Sequence, residues 1–161
     1  MSDSAAALDR GFSALAYVMP LASALQAGVY FFEFLRVQAP DVLNVLLILL
    51  TPLQPLIAIE NSPILGLAVF ILLFAFVVRN TNISRFIRFN VLQAILVSFM
   101  ISIGSLILSL LGITGIIAET LLNVLFLGGM AIVIYSVAQS VLGQYAEIPT
   151  ISDAVNMQMP Y

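Results

Sequence analysis

The polar interval RNTNISRFIRFN, at residues 79–90, separates two long apolar runs and holds three of the chain's five basic residues. Charge is sparse elsewhere, since only 8% of all residues are charged and 62% are hydrophobic. A soluble domain carries about 25% charged residues, so this chain has too few to cover a surface that faces water. Lipid is therefore the predicted solvent for most of the chain, and the interval is predicted to be a cytoplasmic connector between two membrane-spanning helices.

The lengths of the apolar runs predict an all-α integral membrane protein that forms a single membrane-embedded helical bundle. A helix needs about 20 apolar residues to cross about 30 Å of hydrocarbon. We predict four transmembrane helices plus one short interfacial or re-entrant half-helix. The spans are predicted at about residues 12–35, 62–78, 85–111 and 116–143, the half-helix at about 41–51, and an extended C-terminal tail at 144–161.

The half-helix is predicted because two prolines interrupt the second apolar run. The run continues without a break for only about ten residues, or about 15 Å, which is half of a bilayer. If this segment is re-entrant, the break places Pro52, Gln54 and Pro55 as the lining of a cavity. The alternative is a helix that lies flat and seals the outer edge of the bundle.

The positions of the arginines give a separate prediction of topology. If four segments span, one side of the membrane receives four arginines, and Arg36 lies on the other side. A fifth span at residues 41–59 would divide the five arginines three to two, which is a much weaker bias. The positive-inside rule therefore favours four spans with both termini on the cytoplasmic or stromal side. The four arginines that share a side in this arrangement are Arg10, Arg79, Arg85 and Arg88.

Small residues recur at helical spacing on two of the predicted spans. Such faces let neighbouring helices approach closely, so we interpret both as helix-packing faces. The alternative interpretations are a flexible wall beside a pathway for the first face and a wet groove for the second. Pro20 is also predicted to kink the first span. The first face comprises Ala16, Pro20, Ala24 and Gly28, and the second comprises Ser98, Ser102, Ser105 and Ser109.

The residue types that usually carry chemistry are missing from this sequence. It contains no cysteine, histidine or lysine, which removes thiol chemistry, the commonest proton shuttle and the commonest metal ligand. No phosphate-binding glycine loop or zinc-binding helix motif is present. We therefore predict no enzymatic activity, no catalytic residues, no metal and no cofactor.

Three stretches of the sequence carry a resemblance to a known family. The run FVVRNTNISRFIRFNVLQAIL, with SALAYVMPL before it and EIPTISDAVNMQMPY at the end, resembles the Tic20 family. These are small four-span proteins of the preprotein translocon in the chloroplast inner envelope, with cyanobacterial and plastid-encoded relatives. The resemblance implies a translocon component that forms or borders a polypeptide passage. It implies a location in a cyanobacterial plasma or thylakoid membrane, or in the plastid inner envelope. An N-terminal transit peptide is not evident, which favours a cyanobacterial or plastid-encoded member.

Two hypotheses of function follow, and they share the same expected partners. In the first, the chain is a translocon-type component; in the second, it is a non-catalytic accessory subunit that stabilises a larger membrane complex, such as one of the thylakoid. The expected partners are membrane lipids and other membrane proteins, with oligomerisation compatible with both hypotheses and no nucleic acid expected. Anionic lipid headgroups or a partner protein are predicted to contact Arg79, Arg85, Arg88 and Asn90.

Overall fold

The computed structural model describes residues 3–159, and these residues form helices and connecting turns without any strand. The nine α-helices in this part of the chain are α1 (Asp3–Ala16), α2 (Val18–Ala27), α3 (Val29–Gln38), α4 (Pro40–Leu50), α5 (Gln54–Asn61), α6 (Pro63–Leu73), α7 (Arg85–Leu110), α8 (Gly115–Leu142) and α9 (Ile151–Gln158). The predicted class, an all-α integral membrane protein, is confirmed. Three helices are long and apolar enough to cross a membrane, and a bent pair would make a fourth.

The bent pair lies at the N-terminal end of the chain. Helices α1 and α2 form one continuous segment over Ala6–Ala27, with a local interruption at Tyr17, and this segment is a candidate span only together with α3. This interruption lies beside Pro20, which has no N–H to donate to the carbonyl four residues earlier. The large bend, of 67°, occurs at Gly28, where α3 begins. Pro20 therefore causes only a local break, and the direction of the chain changes eight residues later.

The core of the bundle lies where α1 and α2 pack against the long helices α7 and α8. Ala24 has no exposed surface, and its Cβ lies 3.1 Å from where a Cβ on Gly129 of α8 would stand. A Cβ on Gly28 would come within 2.6 Å of the Phe126 ring, so glycine is needed for this close approach. The first half of α7 is almost fully enclosed, whereas none of its residues after Ile101 is buried.

The structure differs from the half-helix predicted at about 41–51, because the chain stays helical through the two prolines. Helix α4, a 3₁₀ turn at Thr51–Leu53 and helix α5 together make a candidate span of 22 residues, Pro40–Asn61. Pro52 and Pro55 each fall within the first two positions of the element that they enter, where a missing N–H costs little. The next segment, Pro63–Val78, was predicted as a span but is the shorter of the two apolar helices. It ends in a π-helical turn at Phe74–Val78.

The prediction of an extended C-terminal tail is wrong for half of its length. After Gly143 the chain runs without regular structure to Pro149, and then Ile151–Gln158 forms α9. This helix packs against α7 through side chains such as Val155, which has no exposed surface. The apolar contact with α7 explains why a tail of mixed polarity folds back onto the bundle. The final two residues of the predicted tail, 160 and 161, lie outside the described residues.

Candidate functional site

Two clusters of polar side chains each include residues of α7, and they differ in their access to the outside of the protein. We call the first the buried network, which comprises Tyr17, Asn90, Gln93, Ser140 and Ser152. We call the second the hydroxyl groove, which is an open cleft of about 380 Å³. Its polar lining residues are Ser23, Gln26, Glu60, Asn61, Ser62, Ser98 and Ser102.

The buried network joins α1, α7 and α8 through hydrogen bonds between side chains. The Tyr17 hydroxyl, at the junction of α1 and α2, donates to Asn90 Oδ1 at 2.9 Å and accepts from Gln93 Nε2 at 3.0 Å. Ser140 of α8 donates to the same Asn90 oxygen at 3.1 Å. Asn90 and Gln93 have no exposed surface at all, so each of these bonds satisfies a group that would otherwise be costly to bury.

The network also holds the C-terminal tail against α7. Gln93 Nε2 donates to the carbonyl of Ala146 at 3.0 Å, and Ser152 Oγ donates to Gln93 Oε1 at 2.8 Å. The N–H of Ile148 in turn donates to Ser152 Oγ at 2.7 Å. One glutamine side chain therefore fixes both ends of the turn that leads into α9. Because its members satisfy one another, the network's role is structural.

The hydroxyl groove lies between α2, the turn that joins α5 to α6, and the middle of α7. Ser23 Oγ is 2.7 Å from Ser98 Oγ, and Ser102 Oγ donates to Ser23 at 3.3 Å. On the opposite lip, Gln26 Nε2 donates to Asn61 Oδ1 at 2.5 Å. Directly bonded hydroxyl and amide groups therefore line an open cleft within otherwise apolar helices.

Glu60 adds an ionisable group to this groove. Its side chain is half-buried, and it makes no hydrogen bond or ion pair with any other described residue. It lies next to Asn61, near the end of an apolar candidate span. Acidic side chains in such segments are rare, and they mark candidate functional positions. The groove therefore offers hydrogen bonding and a carboxyl group to a ligand.

The shape of the groove depends on a glycine in α6. A Cβ on Gly66 would lie 2.7 Å from the carbonyl oxygen of Glu60, which is a backbone atom and cannot swing aside. The absence of a side chain at Gly66 lets α6 pack directly against the end of α5. The narrow turn between them presents Asn61 and Ser62 to the cleft.

The residues predicted to contact headgroups or a partner divide into two pairs. Arg79 and Arg85 are exposed, and Arg85 donates to Asn156 Oδ1 of α9 at 3.0 Å. Arg88 is only 4% exposed, and its Nε donates to the carbonyl of Val78 at 3.0 Å. Because Arg88 and Asn90 are enclosed by protein, the prediction that they reach headgroups is wrong. Arg88 instead ties the end of the π-helical turn to α7.

The two predicted small-residue faces lie at helix contacts for only part of their length. On the first, Pro20, Ala24 and Gly28 are buried and Ala16 is half-buried. On the second, Ser98 is buried and contacts α2, whereas Ser102 is exposed at the mouth of the groove. Ser105 is half-buried and Ser109 is exposed, beyond the end of the buried part of α7.

The predicted cavity lining at the proline pair is wrong. Pro52, Gln54 and Pro55 are all exposed on the outside of the helix, because the helix continues through them and turns them away from the bundle. Leu53, between them, is the residue that packs inward, beside Tyr17 and Val133. The polar cleft lies instead at the other end of α5, where Glu60 and Asn61 stand.

Sequence reasoning missed Tyr17, Ser23, Gln93 and Glu60. Three of these are single polar residues within apolar runs, and that isolation is the signal that could have identified them, since a polar group in hydrocarbon needs a partner. Glu60 carried a stronger signal, because it is an acidic residue in the last turn of an apolar stretch of 22 residues. No group of three acidic side chains in the described part of the chain is arranged to hold a metal ion.

Comparison with known proteins places this architecture in one family. The family described as "Chloroplast import apparatus Tic20-like" matches residues 7–155. A "Tic20 family protein" of Synechocystis sp. is 45% identical over 159 residues, which cover 95% of this chain and 94% of that protein. "Tic20 family protein Ycf60" of Gracilaria tenuistipitata var. liui is 35% identical, over 94% of this chain and 76% of that protein. "Protein TIC 20-v, chloroplastic" of Arabidopsis thaliana is 30% identical, over 98% of this chain and 74% of that protein.

Proposed function

We propose that this chain, which belongs to the Tic20 family, is a multi-pass membrane subunit of a protein-translocating complex and that its hydroxyl groove borders the path of an extended polypeptide. An extended segment carries unpaired N–H and C=O groups, each of which costs several kcal/mol in hydrocarbon. The hydroxyl groove provides donors and acceptors at the depth where lipid provides none. The three bonded hydroxyls Ser23, Ser98 and Ser102, with the Gln26–Asn61 amide pair beside them, are the observation that carries this proposal.

Photo-crosslinking from the groove tests this role. Since the chain has no cysteine, Ser102→Cys can carry a cysteine-linked photoprobe at a single position. We expect crosslinks to a precursor that is arrested during transport. The matched control is Leu106→Cys, one turn further along α7, where the side chain is exposed to lipid. Equal crosslinking from both positions, or crosslinks to lipid alone, would overturn the proposal.

We also propose that both termini face the cytoplasm or stroma. The positions of the arginines support this orientation, because most of them lie at one end of the bundle. Arg10 lies against Gly143, at the end of α8, and Arg85 begins α7, whereas Arg36 lies on α3 beyond the bend at Gly28. A cysteine at the highly exposed position of Met157 should then resist a membrane-impermeant reagent added from outside. Labelling of this cysteine in intact cells or intact organelles would show that the orientation is the opposite one.

The accessory-subunit hypothesis is supported by a different region, helix α4. No residue of Pro40–Leu50 is buried, although almost all of them are apolar. A membrane partner that packs against this face would make the chain a stable neighbour in a larger complex. Purification in mild detergent separates the two hypotheses, because one stoichiometric complex would favour an accessory role and transiently bound precursors would favour translocation.

A further inference from the structure

A second groove, which adjoins the hydroxyl groove at Met19 and Glu60, runs along α1 and α2. It is an open cleft of about 440 Å³, within the range of about 300–1,000 Å³ that is typical of small-molecule sites. We call it the apolar groove. Apart from Glu60, every lining residue is apolar, and the set includes Phe12, Val69, Leu73, Val77, Ile83 and Ile87.

The walls of the apolar groove are stripes along helix axes. Val69, Leu73 and Val77 follow one another at intervals of four residues, so they form one face of α6 and the turn after it. Eight residues of helix span about 12 Å, so the groove is long in one direction. An elongated, apolar groove of this kind fits a flexible hydrocarbon chain better than a compact ligand.

The two ends of the apolar groove differ in charge. One end is formed by Val77 and Ile83, which flank the connector that begins at Arg79. Glu60 lines the other end of the apolar groove, and it also lines the hydroxyl groove beside Ser98. Along α7, Ser98 lies about 16 Å from Ile87, which lines the apolar groove. A ligand with a negative headgroup and an apolar tail is therefore expected to bind in one orientation, with its headgroup at the arginine end.

Arg79 has an exposed side chain that is available to such a headgroup. Its guanidinium makes no ion pair or side-chain hydrogen bond with another residue between positions 3 and 159. A guanidinium can donate two parallel hydrogen bonds to a phosphate. Arg85, at the start of α7, lies on the same connector and keeps donors beyond the one that it gives to Asn156.

We infer that the apolar groove is a binding site for an anionic phospholipid, with one acyl chain along the groove and the phosphate beside Arg79. The cleft is open and apolar on a multi-pass membrane protein, so the bilayer is the source of its ligand. The chemistry at its two ends selects a lipid with a net negative headgroup over a zwitterionic lipid. This site does not depend on the proposed path for a polypeptide.

The headgroup contact can be tested with purified, delipidated protein in detergent. Native mass spectrometry should detect phosphatidylglycerol bound more tightly than phosphatidylcholine with the same acyl chains. Arg79→Gln should weaken phosphatidylglycerol binding about fivefold and phosphatidylcholine binding by less, because the choline cation already offsets the attraction of that phosphate to the guanidinium. Arg36→Gln is the control, because Arg36 is exposed but lies on α3 and is paired with Glu33 at 2.5 Å. Equal affinity for both lipids, or an equal effect of the two arginine variants, would overturn the inference.

The acyl-chain contact has its own test. Leu73→Trp fills the groove and should lower retention of phosphatidylglycerol, whereas Leu72→Trp adds the same ring at an exposed position outside the groove. Both variants should keep the circular dichroism spectrum of the original chain. If both variants retain the lipid equally, the acyl chain lies elsewhere and the inference fails. If Leu73→Trp instead abolishes a dimer while lipid binding persists, a second copy of the chain occupies the groove.

Discussion

The two polar clusters on α7 lie about two helical turns apart and differ in how they satisfy their hydrogen bonds. In the buried network, Asn90 and Gln93 are fully enclosed and bond to Tyr17, to Ser140 of α8 and to the C-terminal tail. In the hydroxyl groove, Ser102 is exposed and bonds to Ser23 at the mouth of an open cleft. The same helix therefore carries one cluster that completes itself and another that leaves groups available.

This difference separates a structural role from a binding role. A closed network fixes the relative positions of the helices, and the loss of one member leaves its partners unsatisfied in the interior. An open groove tolerates the loss of one hydroxyl, because a water molecule or a ligand can replace it. If the two clusters differ in this way, loss of the central amide of the network will affect stability most, and loss of a hydroxyl from the groove will affect it least.

The largest expected effect is that of Gln93→Leu, which keeps the size of the side chain but removes its amide. The Tyr17 hydroxyl, the Ala146 carbonyl and Ser152 would each lose a buried partner. We expect a loss of about 3 kcal/mol in the free energy of unfolding, measured by denaturation in detergent. Limited proteolysis should also cut the tail near Glu147. An unchanged midpoint would show that the network is not structural.

The next effect is expected at the edge of the groove, from Gly66→Ala. The added methyl group would meet the backbone carbonyl of Glu60, so we expect a loss of about 2 kcal/mol in thermal unfolding experiments. Gly128→Ala is the matched control, because a Cβ at Gly128 meets nothing within 4 Å. That control should stabilise α8 by up to about 1 kcal/mol through helix propensity. Similar results for the two variants would mean that the turn between α5 and α6 is not fixed.

A smaller loss is expected from Tyr17→Phe, which removes one hydroxyl from the buried network. Asn90 keeps its bond from Ser140, and Gln93 keeps its bond to Ala146. The expected cost is therefore about 1 kcal/mol in the same denaturation experiment. In a double-mutant cycle with Asn90→Ala, the two costs should not add, because the residues share one hydrogen bond. Additive costs would contradict the direct contact.

The smallest effect on stability is expected from Ser23→Ala, although Ser23 is the central hydroxyl of the groove. Hydrogen bonds between membrane helices contribute about 0.6 kcal/mol on average, so unfolding should change by no more than this. Crosslinking between a photoprobe at position 102 and an arrested precursor should nevertheless decrease. A loss of stability as large as that of Gln93→Leu would remove the distinction between the two clusters.

Several elements followed from local properties of the sequence. The predicted span at about 85–111 differs by a single residue from α7, which ends at Leu110. The prediction for α8 is similarly close, and the resemblance carried by FVVRNTNISRFIRFNVLQAIL led to the family that the comparisons establish. The proline pair misled the prediction, because the cost of a proline depends on its position within a helix, and Pro52 and Pro55 occupy positions where that cost is low.

The sequence by itself determined the membrane class, the long helices and the family, because apolar length and local motifs are properties of neighbouring residues. Only the tertiary structure decided that Asn90 and Arg88 lie inside while Arg79 and Arg85 lie outside, since the four residues belong to one polar interval. It also decided that Ser23, Asn61 and Ser98 meet at one groove. Those contacts join residues 35 to 75 positions apart and depend on how the helices pack, which no local pattern encodes.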